Sequence, residues 1–456
     1  MKEEIIKKCN DSSDILTRTI KKDNYILDII HCETLSNSSL IEKYILKPLN
    51  ESNGNIEEII TSGSLKTISN IDDAVNKIFL GFTIVIINNS KIIAIETKAN
   101  IDRSITESEI EGSISGPKDA FNENFNINIG LIRKRIRNKN LTLETLNLGS
   151  ESNTKVGICY MKDLVDDDLL KKINSKLKMI KNDIINDGSY IKEQISKKSL
   201  FPEINQTERP DLATYALLEG KVCIVVDNSP TVLILPTFFI DFFHTADDYY
   251  QKNINVTFTR ILRFIAFIVA IFLPGYYISI TTHNPTSIPT NLLIKLIDQH
   301  ASVPFPAFFE ILIMTIAFEI LRESDIRIPN KVGSSASILG GLILGEAAVS
   351  AGIISPIMII VVAISAISSF VFSYNSIVNL IRYYRLLILL LGVLFGLFGL
   401  FIGLALLITN ISSITSLGYP YTYPFIPLVK DEIKDSIIKV KNKNKRNFLL
   451  TKVRDR

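Results

Sequence analysis

Apolar residues fall along this chain in two regimes. As far as about residue 252 they recur at strand or helix spacing between charged and Asn-rich stretches; from Asn253 onward they fill long runs with few charges. The second pattern is that of lipid-embedded helices. One candidate span follows Arg260 and Arg263 and ends near Ile280; the others are Phe305–Leu321, Gly333–Ile354, Ile357–Ile381 and Leu386–Thr409. Basic residues flank them at Arg322, Arg327 and Lys331, and again at Arg382 and Arg385. Alternation brings all three basic groups to one side, which the positive-inside rule makes cytoplasmic. Five simple crossings would put the Lys/Arg-rich tail from Lys430 on the other side. One segment is therefore expected not to cross fully, either Phe305–Leu321, short and with two glutamates, or the Pro/Tyr-rich 411–428. The expectation is a transmembrane domain of four or five helices over 253–428 and a basic tail over 429–456.

The polar half exceeds one typical core, so two subdomains are expected, over 56–150 and 151–252. Before them lies a partly flexible arm, 1–55, with a plausible helix marked by Ile26, Leu27 and Ile30 and a polar patch from Ser36 to Ser39. An internal echo follows. Gly81–Ser90 (GFTIVIINNS) aligns without gaps on Gly220–Ser229 (GKVCIVVDNS), with Ala74 and Ala213 at the same offset upstream. Each is followed by a second β-rich run, Ile92–Ile95 or Thr231–Leu235, so each reads as a hairpin. Any two hairpins share such features; two related α/β subdomains would also produce them.

Between the hairpins, Gly116 and Pro117 suit a helix start, with Pro117 at the first position and Asp119 in the first turn. Phe121, Phe125, Ile129, Ile132 and Ile136 then give one buried helical face. Arg133, Lys134, Arg135 and Arg137 crowd its C-terminal end. They read as a solvated end matched to the helix dipole and not as a nucleic-acid surface, because no aromatic platform accompanies them. Leu141–Leu148 and Val156–Met161 read as strands, and Leu169, Ile173, Leu177, Ile180 and Ile184 as an amphipathic helix.

Three spans differ in character. Gly392, Gly396, Gly399 and Gly403 form a small-residue face for close helix packing, and Gly333, Ser337, Gly341, Gly345, Ala348 and Gly352 form another. In the span from Ile357, the residues Val362, Ser365, Ser369, Phe372, Ser376 and Asn379 share a face, apolar at one end and hydroxyl-lined at the other. Around a symmetry axis that face would make a wet pore with a hydrophobic constriction. In a packed bundle, the same serines would bond to carbonyls of the preceding turn. Charges inside lipid need a reason. Glu346 sits mid-span and is the leading intramembrane candidate, whether protonated, paired or facing water. Glu319 can reach Arg322 one turn on, and Glu310 lies on the opposite face of that helix.

Charge and composition add exclusions. The formal net charge of +3 over 456 residues averages two different materials. The four cysteines, Cys9, Cys32, Cys159 and Cys223, are far apart and read as buried or free thiols. Met1–Lys22 lacks the apolar core of a signal peptide, so the polar half is expected to stay cytoplasmic. His31, His244, His283 and His300 are scattered, and no Walker loop, GxSxG or HExxH occurs. An enzyme is not expected, and neither a cofactor nor a metal is implied.

Gly116, Pro117, Asp119 and Phe121, with Asn128, Leu131, Arg133 and Arg135, resemble the signature of the A subunits of spore germination receptors, the GerA family. So do Thr207–Asp211 (TERPD), Leu218–Lys221 (LEGK), Pro236–Phe243 (PTFFIDFF) and Asp248–Tyr250 (DYY). In the apolar half, Val303–Pro306 (VPFP, with Pro304 and Pro306), Phe318–Glu323 (FEILRE, with Arg322), Gly345–Val349 (GEAAV) and Ile354–Pro356 (ISP) match as well. The arm and the tail lie outside the resemblance, and Glu346 stands where many members carry glutamine. The resemblance implies a multi-pass subunit of the inner membrane of a bacterial endospore, partnered by a permease-like B subunit and a lipoprotein C subunit. It implies self-assembly into a nutrient-gated cation channel; a scaffold paralogue that clusters receptors without conducting is the alternative. A transporter is disfavoured by the lack of an inverted repeat within 256–409.

Overall fold

The computed structural model describes residues 1–22, 25–51, 59–60, 64–100, 106–107, 111–112, 115–196, 199–327, 341, 345–429, 433 and 436–439. The polar half forms a head of two antiparallel sheets. After helix α1 (Lys2–Lys8), the first sheet takes β1 (Ile15–Lys22), β2 (Tyr25–Cys32), β3 (Leu65–Ile68), β4 (Phe82–Ile87) and β5 (Lys91–Glu96), in the order β1-β2-β4-β5-β3. Helix α2 (Ile71–Ile78) precedes β4. A short ribbon, β6 (Thr106–Glu107) with β7 (Asp119–Ala120), and α3 (Phe125–Arg135) lead to the second sheet. That sheet takes β8 (Leu141–Leu148), β9 (Thr154–Met161), β10 (Asn205–Thr207), β11 (Val222–Val226) and β12 (Val232–Leu235), in the order β8-β9-β11-β12-β10. Helices α4 (Asp167–Lys178) and α5 (Gly188–Ile195) are inserted between β9 and β10, and α6 (Pro210–Leu218) precedes β11.

Strand for strand the two orders are the same, so the echo in the sequence marks a repeated topology. The repeat extends to backbone conformation. Gly81 and Gly220, each closing the helix before its hairpin, have φ of 84° and 87°, and Asn89 and Asn228 in the turns have 52° and 62°. A side chain at Gly220 would also bring a Cβ within 2.8 Å of the Leu164 carbonyl oxygen, so glycine is required there twice over.

Four local expectations are corrected. The expected arm helix at Ile26, Leu27 and Ile30 is the strand β2. Leu27 and Ile29 point into one core and Ile30 and Cys32 into another, and a strand buried on both faces loses its alternation. The first sheet thus draws β1 and β2 from the segment read as an arm, and the second begins at β8, ahead of residue 151. Pro117 does not open a helix: α3 starts at Phe125, where the Asn124 side chain accepts from the Ile127 N–H at 3.1 Å. Ile180 and Ile184 fall beyond α4, and Ile184 is exposed.

The basic end of α3 is only partly solvated: Arg137 is exposed, but Arg133 is not. Arg133 is 1% exposed and donates from Nε and Nη2 to the two Asp14 carboxylate oxygens, both at 2.9 Å, and from Nη1 to the Leu141 carbonyl at 2.6 Å. Burial pushes the Asp14 carboxyl up, but the Arg133 guanidinium outweighs it and holds the group below the usual carboxylate range. Arg135 pairs with Asp119. The buried Asp14–Arg133 pair joins the segment before β1 to the second sheet's helix.

The apolar half is a helical bundle of α7 (Asn253–His283), α8 (Thr290–Ala301), α9 (Ala307–Arg327), α10 (Pro356–Ser369) and α11 (Asn375–Ser413). By length and composition, α7 and α11 could each cross a membrane. The span expected at Ile357–Ile381 is divided. Its chain leaves helical form after Ser369, and Phe372 packs edge-on to Phe243 of the head at 5.5 Å before α11 begins. Helix α11 is itself a hairpin. Gly396 has φ 58° and ψ −141°, and beyond it the second arm runs back along the first. Asn410 Nδ2 donates to the Tyr384 hydroxyl at 2.8 Å, and Gly403 packs on Ile388.

Leu386–Thr409 is therefore not one crossing, and neither Phe305–Leu321 nor 411–428 has to be the exception. The chain returns to the head, where the ribbon β13 (Thr415–Ser416) with β14 (Tyr419–Pro420) docks. The Tyr419 hydroxyl donates to Asp166 at 2.6 Å and the Tyr421 hydroxyl to the Pro202 carbonyl at 2.9 Å. Gly333, Ser337, Lys331 and Lys430 lie outside the described residues.

Candidate functional site

Head and bundle meet in a buried polar junction built from segments distant in sequence. Arg209, 1% exposed, holds Asp211 through Nε at 3.1 Å and Nη2 at 2.8 Å, and also donates to the Pro117 carbonyl at 2.9 Å. The Tyr250 hydroxyl donates to Asp211 at 2.7 Å. Gly116, at φ 103°, lies against the Tyr250 ring with no room for a side chain. Two residues before Tyr250, Asp248 accepts from Arg260 Nε at 3.1 Å and Arg263 Nη1 at 2.8 Å, both on the first turns of α7. Arg263 also donates to the Phe243 carbonyl, and Lys439 of the tail to the Asp248 carbonyl at 2.6 Å. Burial works against the Asp248 carboxylate, but the Arg263 and Arg260 charges hold it below its ordinary range. One residue, Asp248, thus ties together head and first bundle helix through its carboxylate and the tail through its backbone carbonyl.

Glu111 lies in the same junction and takes a different character. It accepts from the Thr207 hydroxyl and from the Glu208 N–H at 2.9 Å, yet burial dominates and raises its carboxyl from 4.5 to about 7. A carboxyl raised on folding contributes stability in full below 4.5 and loses it as pH climbs to about 7. Glu111→Gln, which mimics the protonated group, is expected to match the wild type at pH 4. At pH 7.5 it should be more stable by about 3 kcal/mol. Thermal melts of the two proteins across pH check this; parallel curves would refute it.

The bundle places its carboxylates at opposite ends. Glu310 is fully buried at the end away from the head, where Oε2 accepts from the Ser355 N–H at 2.7 Å at the start of α10. That placement sets a hydrogen-bond acceptor on a helix N-terminus, next to Pro356. Pro306 opens α9 by accepting the Phe309 and Glu310 N–H groups, while Pro304 is exposed. Glu319 does not pair with Arg322 as expected but with Arg382 and Arg385 of α11, at 2.7 and 3.2 Å. Tertiary contact outcompetes the neighbour one turn on. Glu346 is exposed on the bundle surface.

The serine stripe is corrected more strongly. Val362, Ser365 and Ser369 are 1%, 0% and 2% exposed within a single subunit. Ser365 donates to the Ala270 carbonyl of α7 at 2.9 Å and Ser369 to Ala366 at 2.6 Å. Val362 packs among Ile278, Ile311, Met314, Met358 and Leu389. Ser376 and Asn379 belong to α11, a separate helix. Helical periodicity shows which residues share a face, not what covers it. Among the small residues, Gly392 touches Gly275 and Ser279 of α7, whereas Gly399 and Gly403 close the α11 hairpin. Sequence reasoning missed Asp14 altogether and quoted Asp248 and Tyr250 only within a motif, since their partners lie elsewhere in the chain.

A family model described as Bacillus/Clostridium GerA spore germination protein matches residues 3–448. The chain belongs to the GerA spore germination protein family. It is similar to spore germination protein KA of Bacillus subtilis (strain 168), 34% identical over 449 residues that cover 95% of this chain and 82% of that protein. GerQA of Bacillus cereus is 34% identical over 437 residues, covering 94% and 88%. Among solved structures, the N-terminal domain of the A subunit of the Bacillus megaterium spore germinant receptor GerK3 matches at 26% identity with a TM-score of 0.40. It covers 52% of this chain and 93% of that one. GerA is not a known enzyme family, and among the described residues no cluster of three or more His, Cys, Asp or Glu could hold a metal ion.

Proposed function

We propose that this GerA-family chain is the A subunit of a nutrient germinant receptor in the inner membrane of an endospore, with its head in the spore core. In this reading copies assemble around an axis, partnered by a permease-like B subunit and a lipoprotein C subunit, and open a cation path that begins germination. The observation that carries the reading is the family match over head and bundle together. Arg260, Arg263, Arg382 and Arg385 all gather at the head end, as a cytoplasmic head requires. The α11 hairpin returns the tail to that same side.

The conduction path runs along another surface than the serine stripe. Exposed Glu346 is the best-placed group, because a carboxylate on an otherwise apolar face is costly against lipid and suits water or a neighbouring copy. Expected for Glu346→Gln is a fall in cation-over-anion selectivity, with subunit abundance unchanged, in planar-bilayer recordings of the reconstituted protein. A wild-type protein that assembles but passes no current would instead leave the scaffold reading, which the burial of Val362, Ser365 and Ser369 favours.

A further inference from the structure

At the head end of the bundle three arginines converge on one carboxylate. Glu319 and Arg322 come from α9, and Arg382 and Arg385 from the first arm of α11. Arg385 Nη2 donates to Glu319 Oε1 at 3.2 Å; Arg382 Nη2 lies 2.7 Å from Oε2 but off the line of a hydrogen bond. The Arg322 guanidinium pairs with neither oxygen and lies 5.5 Å over the Phe370 ring. Among the described residues no second carboxylate reaches these groups, so three positive charges face one negative.

The donors show the same excess. Arg322 Nη1, Arg382 Nε and Arg385 Nε are buried without an acceptor, and the whole Arg385 residue is 3% exposed. Buried N–H groups are rarely left unpaired in proteins, and planar guanidiniums are matched to multi-oxygen anions. A halide has no directional oxygens to meet several forks at once; a tetrahedral phosphate has. Arg382, 32% exposed, leaves the cluster open at one side. In an embedded bundle this end lies on the side of the head, toward the headgroup layer.

We propose that Arg322, Arg382 and Arg385 form a binding site for a phosphate oxyanion, supplied either by a phospholipid headgroup or as free phosphate. The headgroup source rests on the membrane reading above; the free-phosphate source does not. The test uses the full chain, purified in neutral detergent and in nanodiscs, with lipid retention read by native mass spectrometry and stability by thermal melting. Neither readout involves germination, so its failure is distinct from failure of the receptor reading.

Preferential retention of phosphatidylglycerol over phosphatidylcholine, reduced roughly tenfold in Arg382→Gln, supports a headgroup. Stabilisation by inorganic phosphate over chloride at matched ionic strength, without lipid preference, supports free phosphate. Should Arg382→Gln not fold, Glu319→Gln serves instead: losing the competing carboxylate should strengthen retention of the same anion. No preference for phosphatidylglycerol and no response to phosphate in the wild type overturns the site, as does weaker anion retention by folded Glu319→Gln.

Discussion

Asp14→Ala is expected to destabilise the head by about 3–5 kcal/mol. Its partner Arg133 is 1% exposed and has no route to water, so the substitution leaves a cation buried with two of its hydrogen bonds gone. The remaining bonds to Ser12 and Leu141 satisfy donors but not charge. Thermal melting of the purified protein should register a fall of roughly 10 °C for a unit of this size. The double variant Asp14→Ala with Arg133→Met should recover most of the loss, because replacing a buried pair with apolar volume is often neutral. If the double variant melts as low as the single, packing and not charge is the cause. Acid should act in the same direction as the single variant. Because the folded carboxyl is depressed, its contribution is complete above the ordinary carboxylate range and is lost as pH falls through the lowered value.

Asp248→Ala is the second. It strands Arg260 and Arg263 together at the point where head, α7 and tail meet, at a cost again of about 3–5 kcal/mol. Here the loss falls on a junction and not on a core. Both sheets should stay protease-resistant, while new cleavage appears between Tyr250 and Arg263. If the head passes a conformational signal to the bundle, a weakening of about 3 kcal/mol shifts a two-state equilibrium more than a hundredfold. Spores carrying the variant at normal abundance should then respond far more weakly to nutrient, measured by optical density loss and ion release. Cleavage spread evenly over both sheets, or a normal response, would remove Asp248 from the coupling role.

Much of the head was legible from local pattern. Strands β8 and β9, the two hairpins and their echo follow from β-branched runs and turn residues whose positive φ only glycine or asparagine adopts readily. The arm was misread because β2 is buried on both faces, which removes the alternation that marks a strand. In the bundle, glycine spacing signalled close approach but not that Gly396 reverses the chain, since a glycine inside a helix and one at a hairpin look alike in sequence. The site was less legible still. Arg133 looked like a dipole-matched surface residue because its partner lies 119 residues away, and Glu319 looked paired with Arg322 because only the neighbour one turn on can be seen along a sequence.

What the sequence determined by itself was the division into a polar head and an apolar bundle and the family; the repeat within the head it offered as one of two readings. Each is written in residue type and spacing, which act over a turn or a strand. The tertiary structure decided which charges are buried together, which face of α10 is covered and where the chain turns back to the head. Those outcomes depend on desolvation, and desolvation is set by segments that meet only after folding.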